Sequence, residues 1–163
     1  MVKRKATMLE IEIPGFGAAK LEHLVSDFTG TLSVDGRLLP GVRGQLNEIA
    51  KFLKVHILTA DTFGKAREEL EGIDCEIKIL KGKDHDVQKE EYVKKLGAEK
   101  VVAFGNGNND RKMLKAARIG IAVSQGEGCA VEALIAANVH VTNTNVGLNI
   151  LLHPKRCKAT LRF

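Results

Sequence analysis

The sequence predicts an α/β protein: a single three-layer domain whose mostly parallel sheet is covered by helices. Three observations predict it. From about residue 24 to residue 141, apolar runs of strand length alternate with segments of helical periodicity, and such β-α-β order builds a parallel sheet with helical crossovers, a Rossmann-like arrangement. The 163 residues, 44% of them hydrophobic, contain no linker, repeat or low-complexity stretch, which matches one domain of roughly 100–200 residues. The polar residues also cluster at Asp27, Thr59–Asp61 and Gly105–Asp110, each directly after an apolar strand, and open parallel sheets bind ligands beyond the carboxyl ends of their strands.

Taken in order, Leu9, Ile11 and Ile13 alternate with Glu10 and Glu12, as a strand with one apolar face should. Pro14-Gly15-Phe16-Gly17 has turn chemistry. The chain then returns from Ala18 to Phe28 as an apolar strand, so residues 1–20 read as a hairpin extension feeding a buried strand. Val42, Leu46, Ile49 and Leu53 mark one helical face, followed by the strand Val55–Leu58. A helix is expected over Thr62–Leu70, a strand over Cys75–Leu80, and a helix through Val87, Tyr92, Val93 and Leu96 that stops at Gly97. The strand Val101–Phe104, helix Asp110–Ala117, strand Ile119–Val123, helix Cys129–Ala137 and strand Val139–Val141 complete the series. Residues 155–163 read as a loose basic tail.

The composition excludes several classes. No apolar run approaches the roughly 18 residues of a membrane span. The basic start Met-Val-Lys-Arg-Lys is soon interrupted by Glu10 and Glu12, so no export segment is expected. Cys75, Cys129 and Cys157 are odd in number and widely spaced, which suits reduced thiols in a cytoplasmic protein. The net charge of +5 belongs to the ends: Lys3, Arg4, Lys5, Lys155, Arg156, Lys158 and Arg162 exceed it, while residues 6–154 hold 18 basic and 20 acidic side chains. With no Trp and one Tyr, the aromatic-studded basic face of a nucleic-acid binder is not expected. Solvated ends, or an acid-free tail that steers anions, account for the charge.

Four constellations carry chemistry. Asp27-Phe28-Thr29-Gly30-Thr31-Leu32 ends a strand in a carboxylate and a glycine turn between hydroxyls. The carboxylate could attack phosphorus if a cation screens the repulsion, with Gly30 letting backbone N–H groups approach a phosphate; an Asp-turn closing a strand is the plainer reading. Thr59-Ala60-Asp61-Thr62 sets a hydroxyl before a helix, suited to a phosphate oxygen or to simple capping. Lys89 lies early in its helix, against the dipole, whereas Lys94 and Lys95 lie where the dipole favours them; a solvated lysine is the alternative. Gly105-Asn106-Gly107-Asn108-Asn109-Asp110 is an oxygen-rich loop suited to a hard cation such as Mg²⁺, or else a turn. It lacks the third glycine of a dinucleotide fingerprint.

In this order, the four resemble the haloacid dehalogenase (HAD) superfamily of phosphohydrolases, and within it the soluble proteins related to the catalytic domain of P-type ATPases. The resemblance runs from about Leu24 to Val141. Asp27-Phe28-Thr29-Gly30-Thr31-Leu32 is similar to D-K-T-G-T-L, and Gly105–Asp110 to G-D-G-x-N-D. It implies that Asp27 takes the phosphoryl group as an aspartyl-phosphate, with Thr29, Thr59 and Lys89 completing the catalytic set. Thr59, Ala60, Lys89, Gly30 and Asn109 would hold the phosphate, and Asp27, Thr29, Asn106 and Asp110 would bind Mg²⁺. Three positions depart from the pattern. Thr29 replaces a general acid–base Asp, worth about 10²–10⁴ in rate, so slow breakdown of the phosphoenzyme is expected. Asn106 replaces a metal-binding aspartate, which leaves either Asn106 or Asp110 as the direct ligand. Ala60 replaces a glycine.

With 31 residues between Asp27 and Thr59 and 29 between Thr59 and Lys89, no cap domain fits, and without nucleotide-binding and transmembrane domains ion pumping is not expected. A capless site either takes a bulky substrate or is roofed by a neighbouring subunit in a homo-oligomer. The expected function is a Mg²⁺-dependent phosphatase, or ATP hydrolase, acting on a small phosphorylated substrate. The alternative is a catalytically weak phosphate- or Mg²⁺-binding regulatory module.

Overall fold

The computed structural model describes residues 8–163. Strands β1 (Leu9–Ile13) and β2 (Gly17–Leu21) pair antiparallel, Leu9 opposite Leu21. The first residues of the expected hairpin, with Lys3, Arg4 and Lys5, lie outside the described residues. The apolar run from Ala18 is two strands rather than one. It breaks at Glu22, whose N–H and carbonyl join Lys100 and Lys54, before β3 (His23–Asp27) begins.

A small hairpin, β4 (Ser33–Val34) and β5 (Arg37–Leu38), follows the Asp27 loop. Then come α1 (Val42–Ile49), β6 (Lys54–Thr59), α2 (Ala66–Glu69), β7 (Glu76–Ile79) and α3 (His85–Leu96). The chain continues through β8 (Val101–Gly105), α4 (Arg111–Ala116), β9 (Ile119–Val123), α5 (Val131–Ala136) and β10 (Val139–Val141). Six strands form one parallel sheet in the order β10-β9-β8-β3-β6-β7. From β3 the chain first builds outward through β6 and β7, then returns to β8 on the other side. The crevice at this reversal, beyond the ends of β3 and β8, is where such sheets bind ligands.

The strands are buried on both faces, which is why they read as near-continuous apolar runs. Leu24, Ile57, Val102 and Phe104 point to one side, where α1, the β1–β2 hairpin and a helix near the C-terminus contribute to the core. Val25, Leu58, Val101 and Ala103 point to the other, against Val93 of α3 and Met113 and Leu114 of α4. Each Val, Leu, Ile, Met or Phe side chain among them contributes about 1.5–3 kcal/mol on burial.

Three further expectations change. The helix expected over Thr62–Leu70 is only Ala66–Glu69, because Asp61 and Gly64 adopt positive φ and the Asp61 carboxylate accepts from the N–H groups of Lys65 and Ala66 at 2.9 Å, delaying the helix start. A further helix, α6 (Thr144–Leu152), follows β10 and covers the sheet beside α1. Asn143 caps it, accepting from the Asn145 N–H at 2.7 Å. The expected loose tail is a helix, α7 (Pro154–Leu161), packed on β1. Cys157 and Leu161, four apart, face inward while Lys155, Arg156 and Lys158 stay on the outer side, and the Phe163 N–H donates to the Pro14 carbonyl at 3.0 Å. The charged outer face hid a two-residue apolar stripe. Among the described residues, no helix is long and apolar enough to cross a membrane.

Candidate active site

Asp27 ends the central strand, Thr59 ends β6, and Lys89 lies one turn into α3. Lys89 is 1% exposed and its Nζ joins three oxygens: Asp27 Oδ1 at 2.9 Å, Asp110 Oδ1 at 2.7 Å and Asn109 Oδ1 at 3.1 Å. A lysine so buried keeps its charge only because anions enclose it; the two carboxylates hold its pKa above the ordinary lysine value despite burial.

Asp110 is wholly buried and fully engaged. Its Oδ2 accepts from the N–H groups of Asn106 and Gly107 at 3.0 and 2.9 Å, and its Oδ1 meets Lys89. This carboxylate shapes the Gly105–Asp110 loop. The fit needs glycine at 105, where a Cβ would lie 2.5 Å from the Asp110 Cβ.

Asp27 is the group under electrostatic pressure. Burial and the neighbouring Asp110 charge raise its pKa from an ordinary 3.8 to about 7, against the opposing pull of Lys89. Two carboxylates share one ammonium, an arrangement that a bound cation would relieve. Thr31 Oγ1 lies 3.3 Å from Asp27 Oδ2 and 3.2 Å from Asn106 Oδ1, so these two hard oxygens converge on one point. The Asn106 amide also donates to the Gly128 carbonyl at 3.2 Å and lies directly over Gly30, where φ is +80° and a Cβ would strike the Asn106 amide. The donor set fits a hard divalent cation held by Asp27, Asn106 and backbone oxygen. Among the described residues, no group of three or more His, Cys, Asp and Glu side chains is arranged to hold a metal.

Asp27, Thr29, Thr59, Ala60, Thr62, His85, Lys89, Asn106, Gly107 and Asn109 line one pocket of about 200 Å³. Thr59 Oγ1 accepts from the Asp61 N–H at 2.9 Å, leaving its hydroxyl proton free for a ligand. Capping falls to Asp61, which starts the helix, while Thr59 faces the pocket. Gly30 is buried beneath Asn106, outside that lining. Sequence reasoning singled out neither Thr31, whose signal was a second hydroxyl after the glycine turn, nor His85, whose signal was its spacing of four from Lys89.

Comparison with known proteins bears on the family and the fold. Residues 78–148 match the model of the haloacid dehalogenase-like hydrolases. An uncharacterized protein of Methanocaldococcus jannaschii is 40% identical over 73 residues, which are 45% of this chain and 78% of that protein. A probable copper-exporting P-type ATPase of Archaeoglobus fulgidus is 35% identical over 106 residues, 64% of this chain but 13% of the ATPase. The fold is shared with 3-deoxy-D-manno-octulosonate 8-phosphate phosphatase from Moraxella catarrhalis, solved with magnesium, phosphate and its sugar: TM-score 0.55, 20% identity, 82% of this chain and 86% of that one. The chain belongs to the haloacid dehalogenase-like hydrolases.

Proposed function

We propose that the protein is a Mg²⁺-dependent phosphohydrolase that works through an aspartyl-phosphate on Asp27. The observation that carries this reading is the buried Asp27–Lys89–Asp110 cluster at the switch point of the sheet, facing a small pocket of hydroxyl and amide groups. The catalytic set is Asp27, Thr59 and Lys89. Thr59 and Asn109 donate hydrogen bonds to the phosphoryl oxygens, and the Lys89 ammonium offsets their charge and orients Asp27. An Asp27 oxygen attacks phosphorus in line, the bond to the leaving oxygen breaks, and water then attacks the phosphoryl group and restores the carboxylate. Such transfer needs little beyond positioning and charge neutralisation.

Asp27, the Thr29 carbonyl and Asn106 would hold Mg²⁺, which would supply positive charge to offset the repulsion of nucleophile and phosphate. Asp110, with both oxygens occupied, acts on the loop and on Lys89 instead of ligating the ion. The Moraxella phosphatase, which holds magnesium and phosphate on the same fold, supports the use of a divalent metal. The pocket of about 200 Å³ suits a phosphoryl group, leaving the rest of a phosphomonoester outside.

The test is Mg²⁺-dependent release of phosphate from p-nitrophenyl phosphate, with loss of at least ~10³-fold expected in Asp27→Asn. Absence of both turnover and phosphoenzyme would instead favour a phosphate- or Mg²⁺-binding regulatory module.

A further inference from the structure

We propose that His85 is the proton-transferring catalytic residue of this site, donating to the leaving oxygen as the phosphoryl group departs and recovering a proton from the attacking water. The inference rests on the phosphohydrolase reading and adds a residue to it.

The pocket lining holds three side chains that ionise as acids or amines: Asp27, His85 and Lys89. Two are already committed. Asp27 is the nucleophile, and Lys89 is clamped between two carboxylates at 2.9 and 2.7 Å, which hold its proton. Thr59 and Thr62 can hydrogen-bond but cannot yield a proton near neutrality. His85 is left.

Its position follows from the helix. His85 opens α3 and Lys89 follows four residues later, a spacing that stacks two side chains on one helix face. Both reach the pocket. His85 Nε2 is shielded from solvent and has no hydrogen-bond partner, whereas nearly all buried polar atoms in proteins have one. An unmatched ring nitrogen in the wall of a polar pocket points to a partner supplied by the ligand, and in a phosphate ester pocket that partner is an oxygen.

The balance closes over one turnover. The ring, entering the step with Nε2 protonated, gives that proton to the oxygen whose bond to phosphorus breaks. The alcohol leaves neutral and the ring becomes neutral. In the second half, water attacks the aspartyl-phosphate, the bond between Asp27 and phosphorus breaks, and the water's proton returns to Nε2. Phosphate and the starting imidazolium are regenerated.

Leaving-group dependence tests this, because p-nitrophenolate departs without a proton whereas an alkoxide does not. First-turnover release of the leaving group is measured for p-nitrophenyl phosphate and for ethyl phosphate, with wild type, His85→Gln, His85→Asn and Asp27→Asn, each variant's thermal midpoint being checked alongside. General acid help is worth about 10²–10⁴ in rate. The expected result is a loss of ~10²-fold or more for ethyl phosphate in both His85 variants and less than ~5-fold for p-nitrophenyl phosphate. Equal losses on both substrates, or no loss, in a protein whose activity depends on Asp27 would overturn the role of His85 alone. Wild-type hydrolysis indifferent to Asp27→Asn would overturn the phosphohydrolase reading and the role of His85 with it.

Discussion

One ammonium shared by two buried carboxylates leaves the centre of the site with an excess negative charge, and the consequences fall on Asp27. Because its folded pKa of about 7 lies above the ordinary 3.8, its contribution to stability is fully present below about pH 4 and is lost as pH rises through 7. In the metal-free protein, Asp27→Asn should therefore be inactive yet more stable than wild type above pH 7, by on the order of a few kcal/mol. That advantage should shrink toward zero near pH 4 in urea titrations. Mg²⁺ binding should release most of a proton at pH 6 and almost none at pH 8.5, read by calorimetry in buffers of different ionisation enthalpy. Lys89→Met strands two buried carboxylates and should cost about 3–5 kcal/mol at neutral pH, with part of the loss recovered at pH 5, where Asp27 takes up a proton. Asp27 and Thr59 stood out in the sequence because each ends a strand, and Lys89 because it lies early in its helix, against the dipole. The engagement of both Asp110 oxygens was not legible, since a loop sequence does not say which of its carboxylates turns inward.

At the scale of elements, the opposite end of the sheet holds a second buried polar group. His56, the third residue of β6, lies on the α3 face: its Nδ1 is 2.8 Å from the Tyr92 hydroxyl and its Nε2 is 3.0 Å from His23 Nδ1. Burial, then the neighbouring His23, lowers its pKa to about 4. A depressed histidine pKa makes the unfolded chain the better proton acceptor, so stability should fall as pH drops from about 6.5 to 4, by on the order of 3 kcal/mol from this group. Asp27 tilts the other way over the same range, so only the difference between wild type and His56→Gln isolates the effect. That difference, in urea midpoints, should vary with pH below 6.5 and be flat above it. The helix α7 makes a separate claim: removing residues 155–163 strips Cys157 and Leu161 from the core and should lower stability by about 2–4 kcal/mol, seen as a lower thermal midpoint. A merely solubilising tail would leave it unchanged.

For the whole molecule, the decisive fact is the order of the strands. Asp27 and Asp110 are 83 positions apart in the chain, yet β3 and β8 are neighbours in the sheet, so both carboxylates reach one lysine. Alternation of apolar and amphipathic segments made the parallel sheet, its helical layers and its polar carboxyl-end loops legible, because burial on both faces demands continuous apolar strands. The helix α6 escaped since it comes after the last strand, where no further strand marks its end. What the chain's chemistry determined by itself is the fold class and the polar strand-end loops that meet at the crevice, both consequences of local pattern. What only the tertiary structure decided is how those residues divide the work: Asp110 turned into its own loop, Asn106 set over Gly30, and His85 left with an unmatched nitrogen. Those outcomes depend on which polar groups meet in a space of a few ångströms, and hydrogen-bond partners in such a space are assigned by packing across the sheet rather than by spacing along the chain.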